Sequence, residues 1–168
     1  MVGTLPGVLP GYEVDVDLLD LLVKLGLKSG FGGDKLKIMS VKLIADGSGS
    51  GGSAAVYTPQ HRGTKGLGIL VTSPEELTRH VVKAHKAGLR VSIHAIGDRG
   101  IDVALDSIET ALREHPVGDM RHRVEHCSVC TPKQQERIKK LGVVPCSSIG
   151  YMWGVGDDYI ENFGPERL

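Results

Sequence analysis

The sequence is short of cysteine, of net charge, of long apolar runs and of aromatic rings, and the first three shortages each exclude something. Three cysteines, Cys127, Cys130 and Cys146, are an odd number in a chain this long, which argues against a disulfide framework and for a reducing compartment such as the cytoplasm. Twenty basic residues balance twenty acidic ones, so no net field favours nucleic acid or an anionic membrane surface. No apolar run approaches the roughly 20 residues of a membrane span. The N-terminus lacks a charged region followed by an apolar stretch, so no signal peptide is read there, although this says little about location if the chain is an excised piece. Aromatic residues make up only 4% while glycine reaches 23 residues. Much of that glycine lies between Gly30 and Gly68, where a long, loop-rich insertion is expected.

What is present suits one ordinary α/β domain of 168 residues, 40% hydrophobic and 24% charged, with enough apolar material for a core. Residues 1–11 read as irregular. Leucines at 18, 19, 21, 22 and 25 recur at helical spacing, so a helix is expected over 15–27, with Asp15 or Asp17 near its start and Gly26 near its end. The FGGDK run from Phe31 is a turn, and a strand follows over 36–45. Ser73-Pro74-Glu75-Glu76 opens a capped helix that Gly88 closes; its His80 and His85 read as surface or cap-adjacent. A strand over 90–95 leads through Gly97 to Asp98, read as the N-cap of another helix. A third strand is expected over 120–127, a helix capped by Thr131 with Gln134 at its third position over 132–141, and a fourth strand over 143–147. The tail from Ser148 is mixed. Helices alternating with strands imply about four parallel strands joined by right-handed crossovers, either an open doubly wound sheet or part of a (β/α)8 barrel.

Period-two alternation supplies the candidates for chemistry. His94 faces opposite Val91, Ile93 and Ala95 at a strand end, and Lys42 faces opposite Met39, Val41 and Leu43. In the third strand, alternation puts His122, Val124 and His126 on one face and Arg121, Arg123 and Glu125 on the other; these arginines are expected to pair with Glu125 or neighbouring acids behind the sheet. C-terminal ends of parallel strands lie together, so Lys42, His94 and His126 would meet at one rim. Two neutral imidazoles are good ligands for a zinc-like divalent ion. A lysine can join them only as a neutral amine or as the carbamate formed with CO2. Such an ion activates water and polarises a carbonyl, as hydrolysis of an amide-like bond requires. The CxxC at 127–130 lacks the second pair a structural zinc site needs. Glycines at 47, 49, 51 and 52 offer a second function class, a non-catalytic α/β module holding a phosphorylated ligand in the loop 47–52, but no GK[ST] and no helix follow.

The strings VKLIADG (41–47), HAIGDRGID (94–102) and RHRVEHC (121–127), with Ser53-Ala54-Ala55 and the closing GPER, resemble successive strand-end motifs of the amidohydrolase superfamily. The resemblance is to the branch called amidohydrolase family 3, which contains N-substituted formamide deformylases and metal-dependent hydrolases, and it spans nearly the whole chain. It implies a partial (β/α)8 TIM-type barrel over residues 1–168, hydrolysing a C–N bond of a small amide-like substrate through a metal-activated water, with one or two divalent ions, zinc first. Lys42 would be the carboxylated lysine of the fourth barrel strand, His94 the ligand of the fifth and His126 the ligand of the sixth. Asp46 and Asp98 match positions that steady the ligands or orient substrate. The family's first-strand HxH pair is missing, and no residue matches the aspartate after the eighth strand that shuttles the proton. The chain therefore reads as the central part of a barrel, inactive alone, that exposes sheet edges through which copies could associate.

Overall fold

The computed structural model of the chain describes residues 2–3, 18–59 and 66–168. Five parallel strands lie in sequential order: β1 (Val2–Gly3), β2 (Val41–Ile44), β3 (Val91–Ala95), β4 (Arg123–His126) and β5 (Val144–Ser147). The helices are α1 (Leu18–Lys24), α2 (Pro74–Lys86), α3 (Asp98–Glu114), α4 (Pro132–Leu141) and α5 (Ile149–Phe163), followed by a 3-10 turn at Pro165–Arg167. The four expected strands are present. Of the stretch 1–11, Val2–Gly3 pairs with Val41 and Lys42 instead of being irregular; the rest, and the expected helix start at 15–17, lie outside the described residues.

The strands are shorter than their apolar patterns predict. Residues 36–40 do not join β2, because Lys37 turns back to bridge Gly32 and Ser40 is tied to the Ser92 hydroxyl at 2.9 Å. The helices start where their caps say. Ser73 Oγ accepts from Glu76 N at 3.2 Å, and Thr131 and Gln134 form a reciprocal capping box. Gly142 ends α4 in the left-handed region at φ 65°, a conformation glycine adopts without strain. At α3 the cap is Gly97, not Asp98, which is the first helical residue.

One core joins the sheet to its helices. Val41, Leu43, Val91, Ile93 and Val124 from the strands pack with Leu77, Val81, Ile101, Leu105, Ile108 and Ile138 from α2, α3 and α4, nearly all fully buried. Each such side chain contributes about 2 kcal/mol over leaving it in water. All three crossover helices thus cover the same face. A doubly wound sheet reverses its strand order and carries helices on both faces; sequential order with helices on one face is the arrangement of a barrel segment, here with the sheet open. A second cluster, Ala54, Val56, Ile96, Val129, Tyr159 and Phe163, seats α5 and the loop after β2 at the C-terminal rim.

The mixed tail is therefore largely helical. Three glycines within α5, Gly150, Gly154 and Gly156, obscure the period in sequence, and a break at Val155 (φ −139°, ψ 21°) divides the helix into two halves.

Candidate active site

Parallel register sets the site. Lys42 lies opposite Ser92, Ile44 opposite His94, and His94 opposite Glu125. These side chains occupy the face of the sheet away from the helices. Lys42 sits two residues below His94, about 7 Å along the strands. Arg123 and Glu125 pair as expected, Nε to Oε1 at 2.8 Å, but on this inner face and not behind the sheet, because their register partners are Ser92 and His94. Burial lowers the Lys42 pKa, with Glu125 opposing and Arg123 reinforcing the shift.

His94 donates from Nε2 to the Gly47 carbonyl at 2.9 Å. A carbonyl only accepts, so the ring proton is on Nε2 and Nδ1 keeps its lone pair. Burial lowers the pKa of this imidazole, with the bond to Gly47 opposing and Lys42 reinforcing the shift.

His126 departs from the alternation. Its register partner is Ala95, and on a regular strand its side chain would share the buried face of Val124. Instead its backbone takes φ 70°, and Cys127 follows at φ 49°. This left-handed step swings the ring to within 4.6 Å of the His94 ring, centroid to centroid and edge-on at 69°. Positive φ in a residue with a full side chain is strained and concentrates where function fixes the geometry. Nδ1 of His126 meets Ser148 Oγ at 3.1 Å, and Tyr151 stacks on the ring at 5.5 Å and 14°. Burial, then His94 and Lys42, depress its pKa to about 4.

Asp46 ties the rim together from beneath. Its buried carboxylate accepts from Ile96 N (3.0 Å), Gly97 N (2.8 Å) and Ala55 N (3.0 Å), and Oδ1 lies 3.7 Å from His94 Nε2. Burial raises its pKa to about 6 against those three donors. Asp98 is more peripheral: Oδ1 accepts from Tyr57 N at 3.0 Å and Arg99 N at 2.8 Å, tying the loop after β2 to α3.

The structure thus brings His94 and His126 into contact, sets Lys42 on the same face within their electrostatic reach, and puts Asp46 under them. Two neutral imidazoles, one with a bare nitrogen fixed by geometry, suit a divalent ion of zinc type. Among the described residues no three His, Cys, Asp or Glu side chains gather into a metal cage, so the pair is a partial donor set. The loop 47–52 is not built as a phosphate-binding turn that opens onto a helix. The amides of Ser48, Gly51, Gly52, Ser53 and Ala54 are all engaged within the loop, and the next helix begins only at Pro74. Cys127 and Cys130 are free thiols, the first buried.

Sequence reasoning missed two residues. His85 is buried, not superficial: it lies four residues after Val81 and eight after Leu77, on the stripe that faces the core. Its Nε2 donates to the His115 carbonyl at 2.7 Å, so its Nδ1 accepts from His122 Nε2 at 2.9 Å, and His122 Nδ1 accepts from Val91 N at 3.1 Å. Tyr151, the other, lay in a tail with no readable period.

The chain matches the amidohydrolase family over residues 7–168. It is 31% identical over 150 residues to protein LONG AFTER FAR-RED 3 of Arabidopsis thaliana, covering 89% of this chain and 25% of that protein. It is 32% identical over 91 residues to the N-substituted formamide deformylase of Arthrobacter pascens, covering 54% of this chain and 17% of the relative. Among solved structures, an uncharacterised metal-dependent hydrolase from Pyrococcus furiosus superposes with a TM-score of 0.76 at 35% identity, covering 89% of this chain and 30% of that one. The chain therefore spans less than a third of the length of these relatives.

Proposed function

The chain belongs to the amidohydrolase family, and from that premise we propose that it is the central part of a metal-dependent hydrolase that cleaves a C–N bond in a small amide or formamide-like molecule. The observation that carries the reading is the His94–His126 pair, 4.6 Å apart at the rim, with a backbone distorted at His126 to bring the rings together. Similarity to a formamide deformylase and to a metal-dependent hydrolase supports the reaction class. His94 and His126 hold the ion. Lys42 is the third donor, as the carbamate formed with CO2. Asp46 fixes the strand ends that carry the ligands, and Asp98 holds the loop at Tyr57 that borders the substrate. When bound, a zinc-type ion lowers the pKa of water toward about 7 and polarises the carbonyl to be attacked. The chain on its own is expected to be inactive.

Calorimetric titration with Zn2+ tests this. Binding to the wild-type chain that His94→Ala and His126→Ala each reduce at least tenfold supports the assignment; equal binding by both variants overturns it. A carbamate carbon that appears in the 13C spectrum under 13CO2 and vanishes in Lys42→Ala tests the third donor.

A further inference from the structure

Ser148 occupies the N-cap of α5 yet does not cap it: its hydroxyl makes no bond to the helix's own amides. Ser73 and Thr131, at the N-caps of α2 and α4, both accept from the amide three residues on. Such a bond is worth about 1 kcal/mol to a helix. At Ser148 the hydroxyl goes instead to Nδ1 of His126. One turn on, Tyr151 covers the face of the same imidazole nearly parallel to it. The first half of α5 has few other anchors. Ile149 and Trp153 are 82% and 96% exposed, while the second half is held by buried Tyr159 and Phe163 and by Asn162 Nδ2, which donates to the Gly49 and Ser50 carbonyls at 2.9 and 3.0 Å. The break at Val155 separates the halves.

We propose that Ser148 and Tyr151 are positioning residues for His126: Ser148 Oγ accepts the proton of Nδ1, Tyr151 fixes the plane of the ring, and Nε2 is left bare beside His94. The inference rests on the metal reading of His94 and His126 but concerns different residues. A ligating imidazole normally passes its other N–H to an oxygen acceptor, which fixes the tautomer and makes the bare nitrogen a better donor. At His94 the Gly47 carbonyl does this. At His126, which the left-handed backbone removes from the strand's own support, the hydroxyl at the N-cap of α5 takes the N–H and a ring from the first turn of that helix holds the plane.

Two measurements on the chain test the proposal. In metal-free protein, long-range 1H–15N spectra report the tautomer of His126. The wild type is expected to carry its proton on Nδ1, Ser148→Ala to shift it toward Nε2, and Ser148→Thr, which keeps the hydroxyl, to restore it. In calorimetric titration with Zn2+ alone, Ser148→Ala and Tyr151→Leu are each expected to weaken binding about tenfold or more, with Ser148→Thr and Tyr151→Phe within about threefold of wild type. Melting temperatures of Ser148→Ala should stay near wild type, because no cap is lost. An unchanged tautomer in Ser148→Ala, or wild-type Zn2+ affinity in both Ser148→Ala and Tyr151→Leu, overturns the proposal. If His94→Ala and His126→Ala bind Zn2+ like wild type, the metal reading fails instead, and the tautomer still decides whether Ser148 orients the ring.

Discussion

Gly100 has no room for a side chain. A Cβ there would lie 2.5 Å from the Asp46 carboxyl carbon, and that carboxylate cannot retreat without releasing the amides of Ala55, Ile96 and Gly97. Gly100→Ala is expected to cost about 2 kcal/mol or more, whereas Gly118→Ala, with open space around it, should be nearly neutral. Chemical denaturation of the two variants checks this. At the same scale, Asp46→Asn keeps one acceptor oxygen but turns an NH2 toward backbone donors, and should lose about 1–3 kcal/mol. Individual residues were the hardest thing to read in the sequence. Alternation puts His126 among buried apolar side chains, and only the positive φ at 126 and 127 overrides it; no residue type there announces such a step. His85 was legible in principle, because the i, i+4, i+8 spacing from Leu77 and Val81 marks the core stripe, but a histidine weighs against burial in any composition-based reading.

Whole elements were read more easily, because their signals are local. Proline after a Ser or Thr cap, Gln at the third helical position and a closing glycine each reflect one satisfied backbone group, so α2 and α4 begin and end as the sequence states. Thr131→Ala should accordingly cost α4 about 1 kcal/mol in thermal unfolding. Strand ends and α5 were less legible, since short apolar runs do not say where pairing stops and three glycines dilute a helical period. The link between α2 and β4 is also invisible in sequence. The chain from Val91 N through His122 and His85 to the His115 carbonyl uses every ring nitrogen, and a further proton would set two donors against each other. Burial, then His85 and Arg90, push the His122 pKa down to about 4, with Asp119 opposing. Because this folded value lies below the roughly 6.5 of an unfolded histidine, the unfolded chain takes up the proton first. The His122 contribution to stability is fully present above pH 6.5 and is lost as pH drops toward 4, on the order of 3 kcal/mol; His126, also depressed to about 4, adds to the loss, and Asp46, raised to about 6, opposes it. Urea midpoints should be lower at pH 5 than at pH 7, with a smaller difference in His122→Phe; an equal difference would refute this.

For the molecule as a whole, composition and alternation established the α/β class and the parallel strands, but not the choice between a barrel segment and a doubly wound sheet. That choice depends on which side each crossover helix falls, which sequence periodicity does not encode. β3 is flanked by a strand on each side, and all its residues except His94 are buried; β5 lies at the edge of the sheet, and Pro145 contributes no amide to it. Native-state hydrogen exchange should therefore be slowest in β3 and the facing turns of α3 and fastest in β5 and the first half of α5. Comparable protection in β3 and β5 would contradict this order.

The packing of the glycine-rich loop has a consequence for how the sequence can drift. A Cβ at Gly47 would collide with Ser53, and one at Gly49 with the ring of Tyr159, while the loop's carbonyls at 47, 49 and 50 are gripped by His94 and Asn162. A saturation library across this segment should return glycine almost invariably at 47 and 49 and wide freedom at Ser50, which is exposed. The glycines would then mark a gasket squeezed between the C-terminal rim of the sheet and its covering helix, and their persistence in any lineage would record close fit and not nucleotide affinity.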